Sequence, residues 1–116
     1  MKYVLLIYEA EKVWASMSKE EQGQIFNEYL HLSEEFAKSG QMTACEPLEP
    51  TSTATTLRVR GGKSTAVDGP FAETKEQLGG LYVIDVKDLD EAMAWAAKIP
   101  AARTGSIEIR PVMKFD

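Results

Sequence analysis

Histidine and cysteine are almost absent from this sequence of 116 residues, with His31 and Cys45 the single instances of each. A lone cysteine rules out a disulfide within the chain, and one histidine beside it cannot supply a metal site built from several Cys or His ligands. Basic residues are also outnumbered, 13 Lys and Arg against 18 Asp and Glu, for a net charge of −5. Nucleic-acid binding needs clustered Lys and Arg to neutralise phosphates, so no nucleic-acid partner is expected. No apolar run approaches the roughly 20 residues of a membrane span. The stretch Val4-Leu5-Leu6-Ile7-Tyr8 is too short for an export signal, and Glu9, Glu11 and Lys12 follow it without a small-residue cleavage site. A cytoplasmic protein with no membrane contact is the expectation, which suits an unpaired thiol.

What is present suffices for one domain spanning 1–116. With 44% hydrophobic and 27% charged residues, the chain can bury one modest core. No cofactor signature stands out, and any chemistry must use carboxylates, Arg, Lys, Tyr or a second copy of the chain. Charge is uneven: residues 1–50 hold nine acids and four bases, whereas residues 51–116 hold nine of each. That excess reads as the solvated face of a helix.

Residues 2–8 are apolar on both parities, with Tyr3, Leu5 and Ile7 alternating with Val4, Leu6 and Tyr8, as in a central strand covered on both sides. Ser18 and Glu21 form a capping box that opens a helix ending at Ser39-Gly40. Its projection gathers Ile25, Phe26, Tyr29, Leu32 and Phe36 on one side and Gln24, Glu28, His31, Glu34, Glu35 and Lys38 on the other. A proline-bearing connection, Glu46–Pro50, leads to the β-branched run Thr53–Arg60. Gly61-Gly62 is a two-residue hairpin signal, and Lys63–Val67 return. In that register Leu57, Val59, Ala66 and Asp68 share one face, taken as the covered one, and Arg58, Arg60, Lys63 and Thr65 the other. Leu81–Val86 form a further strand, Asp88 and Glu91 cap a short helix carrying Leu89, Ala92, Met93 and Ala96 before Pro100, and Ser106–Val112 close the chain with Ile107 and Ile109 inward. This order fits an α+β fold, a ferredoxin-like split βαβ sandwich with an added strand. Its helices cover one sheet face only, and the strands are too apolar to leave the other wet, so a homodimer is expected.

The segment Asp68-Gly69-Pro70-Phe71-Ala72-Glu73-Thr74-Lys75-Glu76-Gln77-Leu78-Gly79-Gly80 closely resembles the signature of DGPF-domain proteins within the YCII-related family. The opening Met1–Tyr8, the helix start Asp88-Leu89-Asp90-Glu91-Ala92 and the closing Ile107–Val112 agree, so the resemblance spans essentially the whole chain. It implies a dimeric α/β-barrel of two ferredoxin-like halves. It also implies an association of some members with sigma-factor transcription systems, a distant branch of lyase type acting on a chlorinated aromatic, and a His–Asp pair as a place to look for catalysis. This chain departs from that pair. Counted back from the glycine that ends the first helix, Tyr29 stands where the histidine would be, and His31 lies on the polar face.

Two readings of the motif loop stand side by side. In one, Gly69 before Pro70 makes a tight turn, Phe71 anchors it and Asp68 accepts amide hydrogen bonds that hold it. In the other, Asp68, Glu73, Lys75 and Glu76 line the mouth of a pocket between sheet and helices, with Phe71 and Arg110 also around a small polar or aromatic ligand and Asp68 the candidate catalytic base of a lyase or hydrolase. Gly79 and Gly80 read as close-packing and bulge positions. Glu28 and His31 have the spacing of di-iron bundle ligands, but a single motif on a solvated face argues for a surface histidine and no metal. Arg58, Arg60 and Lys63 form a basic stripe, either a guard against strand aggregation or a site for an anion or acidic partner. Trp14, Trp95 and Tyr82 read as core or interface aromatics, and Cys45 as an inert buried thiol. The expected function is that of a small-molecule-binding homodimer; the alternative is a non-catalytic accessory that contacts a sigma-factor-related protein.

Overall fold

The computed structural model describes residues 1–115. Strand β1 (Lys2–Glu9) is followed by a short helix α1 (Glu11–Ser16), the long helix α2 (Lys19–Ser39) and strand β2 (Met42–Pro47). Strands β3 (Thr55–Arg60) and β4 (Lys63–Asp68) form a hairpin, and β5 (Gln77–Asp85), helix α3 (Leu89–Ala96) and β6 (Ser106–Pro111) complete the chain. The main sheet is antiparallel in the order β2-β5-β1-β6, and the hairpin is a separate two-stranded sheet. Each of the two β-α-β units thus straddles a strand of the other, giving an α+β fold in which β1 is central.

Helix α2 begins and ends where its local chemistry dictates. The Ser18 hydroxyl accepts the Glu21 amide at 3.1 Å and Glu21 Oε1 accepts the Ser18 amide at 3.1 Å. At the far end Gly40 takes φ 67°, and its N–H reaches the Phe36 carbonyl at 3.0 Å. Asp88 caps α3 by accepting the Glu91 amide at 2.9 Å, while Glu91 Oε1 turns back to the Lys87 amide.

The core lies between the helices and one face of the sheet. Tyr3, Leu5, Tyr82 and Ile84 from the strands meet Leu32 and Phe36 of α2 and Ala92 and Ala96 of α3, all buried. Phe36 stacks on Trp95 with ring centroids 4.1 Å apart and leans on Tyr82 at 5.2 Å. Side chains of that size contribute about 1.5–3 kcal/mol each on burial. Gln41 ties the end of α2 to α3, its Oε1 accepting from Trp95 Nε1 at 2.9 Å and its Nε2 donating to Glu91 at 2.8 Å.

Several sequence expectations are corrected here. Phe26 is 61% exposed, because it projects to the side of the line Ile25, Tyr29, Leu32 and Phe36 that α2 turns inward; Leu89 and Met93 are exposed on α3 as well. Trp14, on α1, is also exposed rather than in the core. Cys45 is exposed on the edge strand β2. The connection 46–50 begins inside β2, a strand that the short mixed run Met42–Pro47 does not announce, and its proline sits at the strand end on a sheet edge where no ladder donor is needed. The hairpin register is as expected, Leu57 opposite Ala66 and Arg58 opposite Thr65. The face carrying Leu57, Val59 and Asp68 is nevertheless exposed, since the ribbon does not join the sheet.

Candidate functional site

The face of the sheet away from the helices carries cross-strand rows of its own. Glu46, Leu81, Leu6 and Glu108 form one row across all four strands, and Ala44, Val83, Val4 and Arg110 form the next. Tyr8, paired with Leu78 and Ser106, begins a third at the end of the sheet near the motif loop. The register shifts between Ile7 and Tyr8, where β5 carries the extra residue Gly79. A Cβ at Gly80 beside it would stand 3.1 Å from the Glu46 carbonyl oxygen, a tight contact that would press on β2.

At this end lies a cleft of about 460 Å3. Tyr8 and Leu78 form its floor, Leu48 to Thr51 one wall, and Pro70, Phe71 and Ala72 of the motif loop the opposite wall. Glu49, Glu76 and Gln77 supply the polar groups at its border. Backbone and side-chain hydrogen bonds hold both walls. Leu48 N–H donates to the Gly79 carbonyl at 2.9 Å, and Glu11 accepts from both the amide and the hydroxyl of Thr51 at 2.8 and 2.7 Å. Gln77 in turn accepts the Glu11 amide at 2.9 Å and donates to the Thr74 carbonyl at 2.6 Å. Ser106 donates to Glu76 at 2.8 Å, which turns that carboxylate toward the end of β6.

The motif turn is held by backbone groups. Gly69 takes φ 102°, its N–H donates to the Ala54 carbonyl at 2.7 Å, and its own carbonyl accepts from Thr56 Oγ1 at 2.8 Å. Among the described residues no hydrogen bond reaches the Asp68 carboxylate, which is exposed at the end of β4 opposite Thr55. Phe71 does not anchor the loop in this chain: it is 77% exposed, with its carbonyl near Arg58 Nη2 at 3.5 Å.

Of the six residues singled out from sequence, Glu76 lies at the cleft, on the sheet face away from the helices rather than between sheet and helices, and the other five are placed as follows. Phe71 lines the cleft; Lys75 lines a second, shallower hollow of about 360 Å3 with Glu11 and Lys12; Asp68 and Glu73 border neither, and Arg110 lies on the uncovered face opposite Val4. Glu11, which braces the wall, and Leu48 lie outside the motif, and Tyr8 and Leu78, which make the cleft apolar, fall within the opening and motif segments without being read as site residues. Their convergence depends on the β1–β5 register and on the path of the 48–54 connection.

Apart from Glu21, lowered by the Ser18 cap at the start of α2, the groups with displaced pKa values are Tyr82, Cys45 and Tyr29, on the helix-facing side of the sheet, at its edge and on α2, and none of them lines the cleft. Burial pushes the Tyr82 phenol far up, with the Cys45 thiol beside it adding to the effect, and burial raises Tyr29 as well. The Cys45 thiol is also raised, chiefly by desolvation and in part offset by the Tyr82 hydroxyl, so it is not an activated nucleophile. His31 is exposed on α2, and among the described residues no three His, Cys, Asp or Glu side chains come together as metal ligands. No helix of the described residues is long and apolar enough to cross a membrane.

A model of the YCII-related domain matches residues 1–116. An uncharacterised protein of Rhizobium meliloti (strain 1021) is 40% identical over 117 residues, an alignment that takes in 99% of this chain and 94% of that protein.

Proposed function

The chain belongs to the YCII-related family, and from that premise we propose that it is a homodimer that binds a small ligand with an aromatic or apolar body and a polar group in the cleft beside the motif loop. The cleft itself carries the reading: about 460 Å3 is the size of a small-molecule site, and its apolar walls with a few polar groups at the rim match what such ligands need. The apolar body would lie between Phe71 and the Tyr8–Leu78 floor, and its polar group would meet Glu76 or Gln77. A lyase or hydrolase activity would draw its base from Glu49 or Glu76, the carboxylates at the cleft, rather than from Asp68. The dimer would form through the uncovered sheet face, onto which the cleft opens at Tyr8, so a second copy would also close the cleft on that side.

A thermal-shift panel of phenols and small aromatic acids tests this. A true ligand at ten times its Kd adds about 1.4 kcal/mol and raises Tm by roughly 5 °C. The rise should vanish in Phe71→Ala, whose own Tm stays near that of the parent because Phe71 is already exposed. A panel in which nothing shifts, or a shift that persists in Phe71→Ala, overturns the proposal.

A further inference from the structure

The side chains around the cleft beside the motif loop have spent their hydrogen-bond donors on one another. Thr51 Oγ1 donates to Glu11 at 2.7 Å, Thr53 Oγ1 to the Pro50 carbonyl at 2.7 Å and Thr74 Oγ1 to the Glu76 carbonyl at 2.6 Å. A hydroxyl has a single proton to give, so these threonines can only accept from a ligand. Gln77 is tied at both ends, its Nε2 donating to the Thr74 carbonyl at 2.6 Å and its Oε1 accepting the Glu11 amide at 2.9 Å. Tyr8 on the floor remains, and a phenol accepts as readily as it gives.

Acceptor capacity is what the cleft has left over. Glu49 and Glu76 border it, and an ionised carboxylate can only accept. Glu76 is half-buried; its Oε1 takes the Ser106 hydroxyl at 2.8 Å, and among the described residues no hydrogen bond reaches its Oε2. Neither carboxylate is engaged in an ion pair among the described residues. No Lys or Arg stands among the lining residues: Lys12 and Lys75 line the second hollow, and Arg58, whose Nη2 is 3.5 Å from the Phe71 carbonyl, does not border the cleft.

We propose that the cleft selects an uncharged aromatic ligand by the hydrogen-bond donor it carries, a hydroxyl or amino group given to Glu76, and turns aromatic acids away. The proposal rests on the ligand-binding reading above and names the class of ligand within it. A hydroxyl or amine would complete Glu76 Oε2 with a charge-assisted bond, shorter and stronger than a neutral one. A ligand carboxylate would give up its water to meet carboxylates and no base. A ligand of the same shape without a donor would cover Glu76 and leave its oxygen unpaired, a penalty that apolar walls cannot match in discriminating between ligands.

Titration of the full chain with para-cresol, para-toluidine, para-methylanisole and para-toluate, compounds built on one ring, tests the selection. The cresol and the toluidine should bind at least about tenfold more tightly than the methyl ether or the acid. In Glu76→Gln, whose amide oxygen still accepts the Ser106 hydroxyl, the preference for cresol over toluate should shrink to within about threefold with Tm unchanged. If none of the compounds binds, the ligand reading of the cleft falls and the selection falls with it. If toluate binds as tightly as cresol and both are lost in Phe71→Ala, the cleft stands and the selection alone is overturned. A preference that survives intact in Glu76→Gln overturns it as well.

Discussion

Tyr8 and Leu78 face each other across β1 and β5 on the uncovered side of the sheet, and together they floor the cleft beside the motif loop. The pair joins two features that are far apart in sequence, the opening strand and the motif. Leu78→Glu would place a carboxylate on the apolar floor, where a neutral aromatic ligand would have to desolvate it. The expected outcome is loss of at least about tenfold in ligand affinity. Isothermal titration with whichever compound shifts the parent protein checks it.

Phe36 is the keystone of the core, 1% exposed and stacked on Trp95. Phe36→Ala should cost about 3–5 kcal/mol in urea unfolding. Phe26→Ala, ten residues earlier on the same helix but 61% exposed, should change stability by no more than about 0.5 kcal/mol. Equal losses from the two substitutions would contradict the packing described.

Two glycines should respond with opposite signs to the same change. A Cβ at Gly105 would overlap the Tyr8 carbonyl oxygen and stand 3.0 Å from Glu9 Cα, so Gly105→Ala must move backbone and should cost about 3 kcal/mol or more. A Cβ at Gly23 meets nothing within 4 Å inside α2, and Gly23→Ala should stabilise by about 0.5–1 kcal/mol. Thermal unfolding of both variants decides this.

Burial holds the Tyr29 and Tyr82 phenols protonated in the folded chain. A group whose pKa is raised by folding contributes stability that is intact below its unfolded pKa, about 10 for tyrosine, and is lost as pH rises beyond it. The protein should therefore lose stability steeply above about pH 10, and Tyr82→Phe should flatten that decline. Urea titrations at several alkaline pH values, with phenolate absorbance followed in parallel, measure both effects. An unchanged slope in Tyr82→Phe would refute the assignment.

The parts of the fold that were legible are those written in neighbouring residues. Ser18 and Glu21 announce the start of α2 and Gly40 its end, because capping is settled within a single helical turn. Gly61-Gly62 sets the hairpin register for the same reason. Strand β2 escaped, since Met42–Pro47 has no alternation and becomes a strand only by pairing with β5. Cys45 reads as a buried thiol and Phe71 as an anchor of its loop, yet both are exposed; apolarity states what a side chain gains from burial and not whether a partner surface is within reach.

By itself the sequence determined the central strand, the two capped helices, the hairpin, the later strands and the family, along with the exclusion of an internal disulfide and of a metal site built from several Cys or His ligands. Only the tertiary structure decided that the hairpin stands off the sheet, that β2 rather than a hairpin strand completes it, and that the cleft is floored by Tyr8 and Leu78 while Asp68 stays outside. The division has a physical reason. Caps and tight turns are settled by hydrogen bonds over three or four residues, whereas the cleft depends on which strand lies beside which, a choice made by burial summed over the whole sheet.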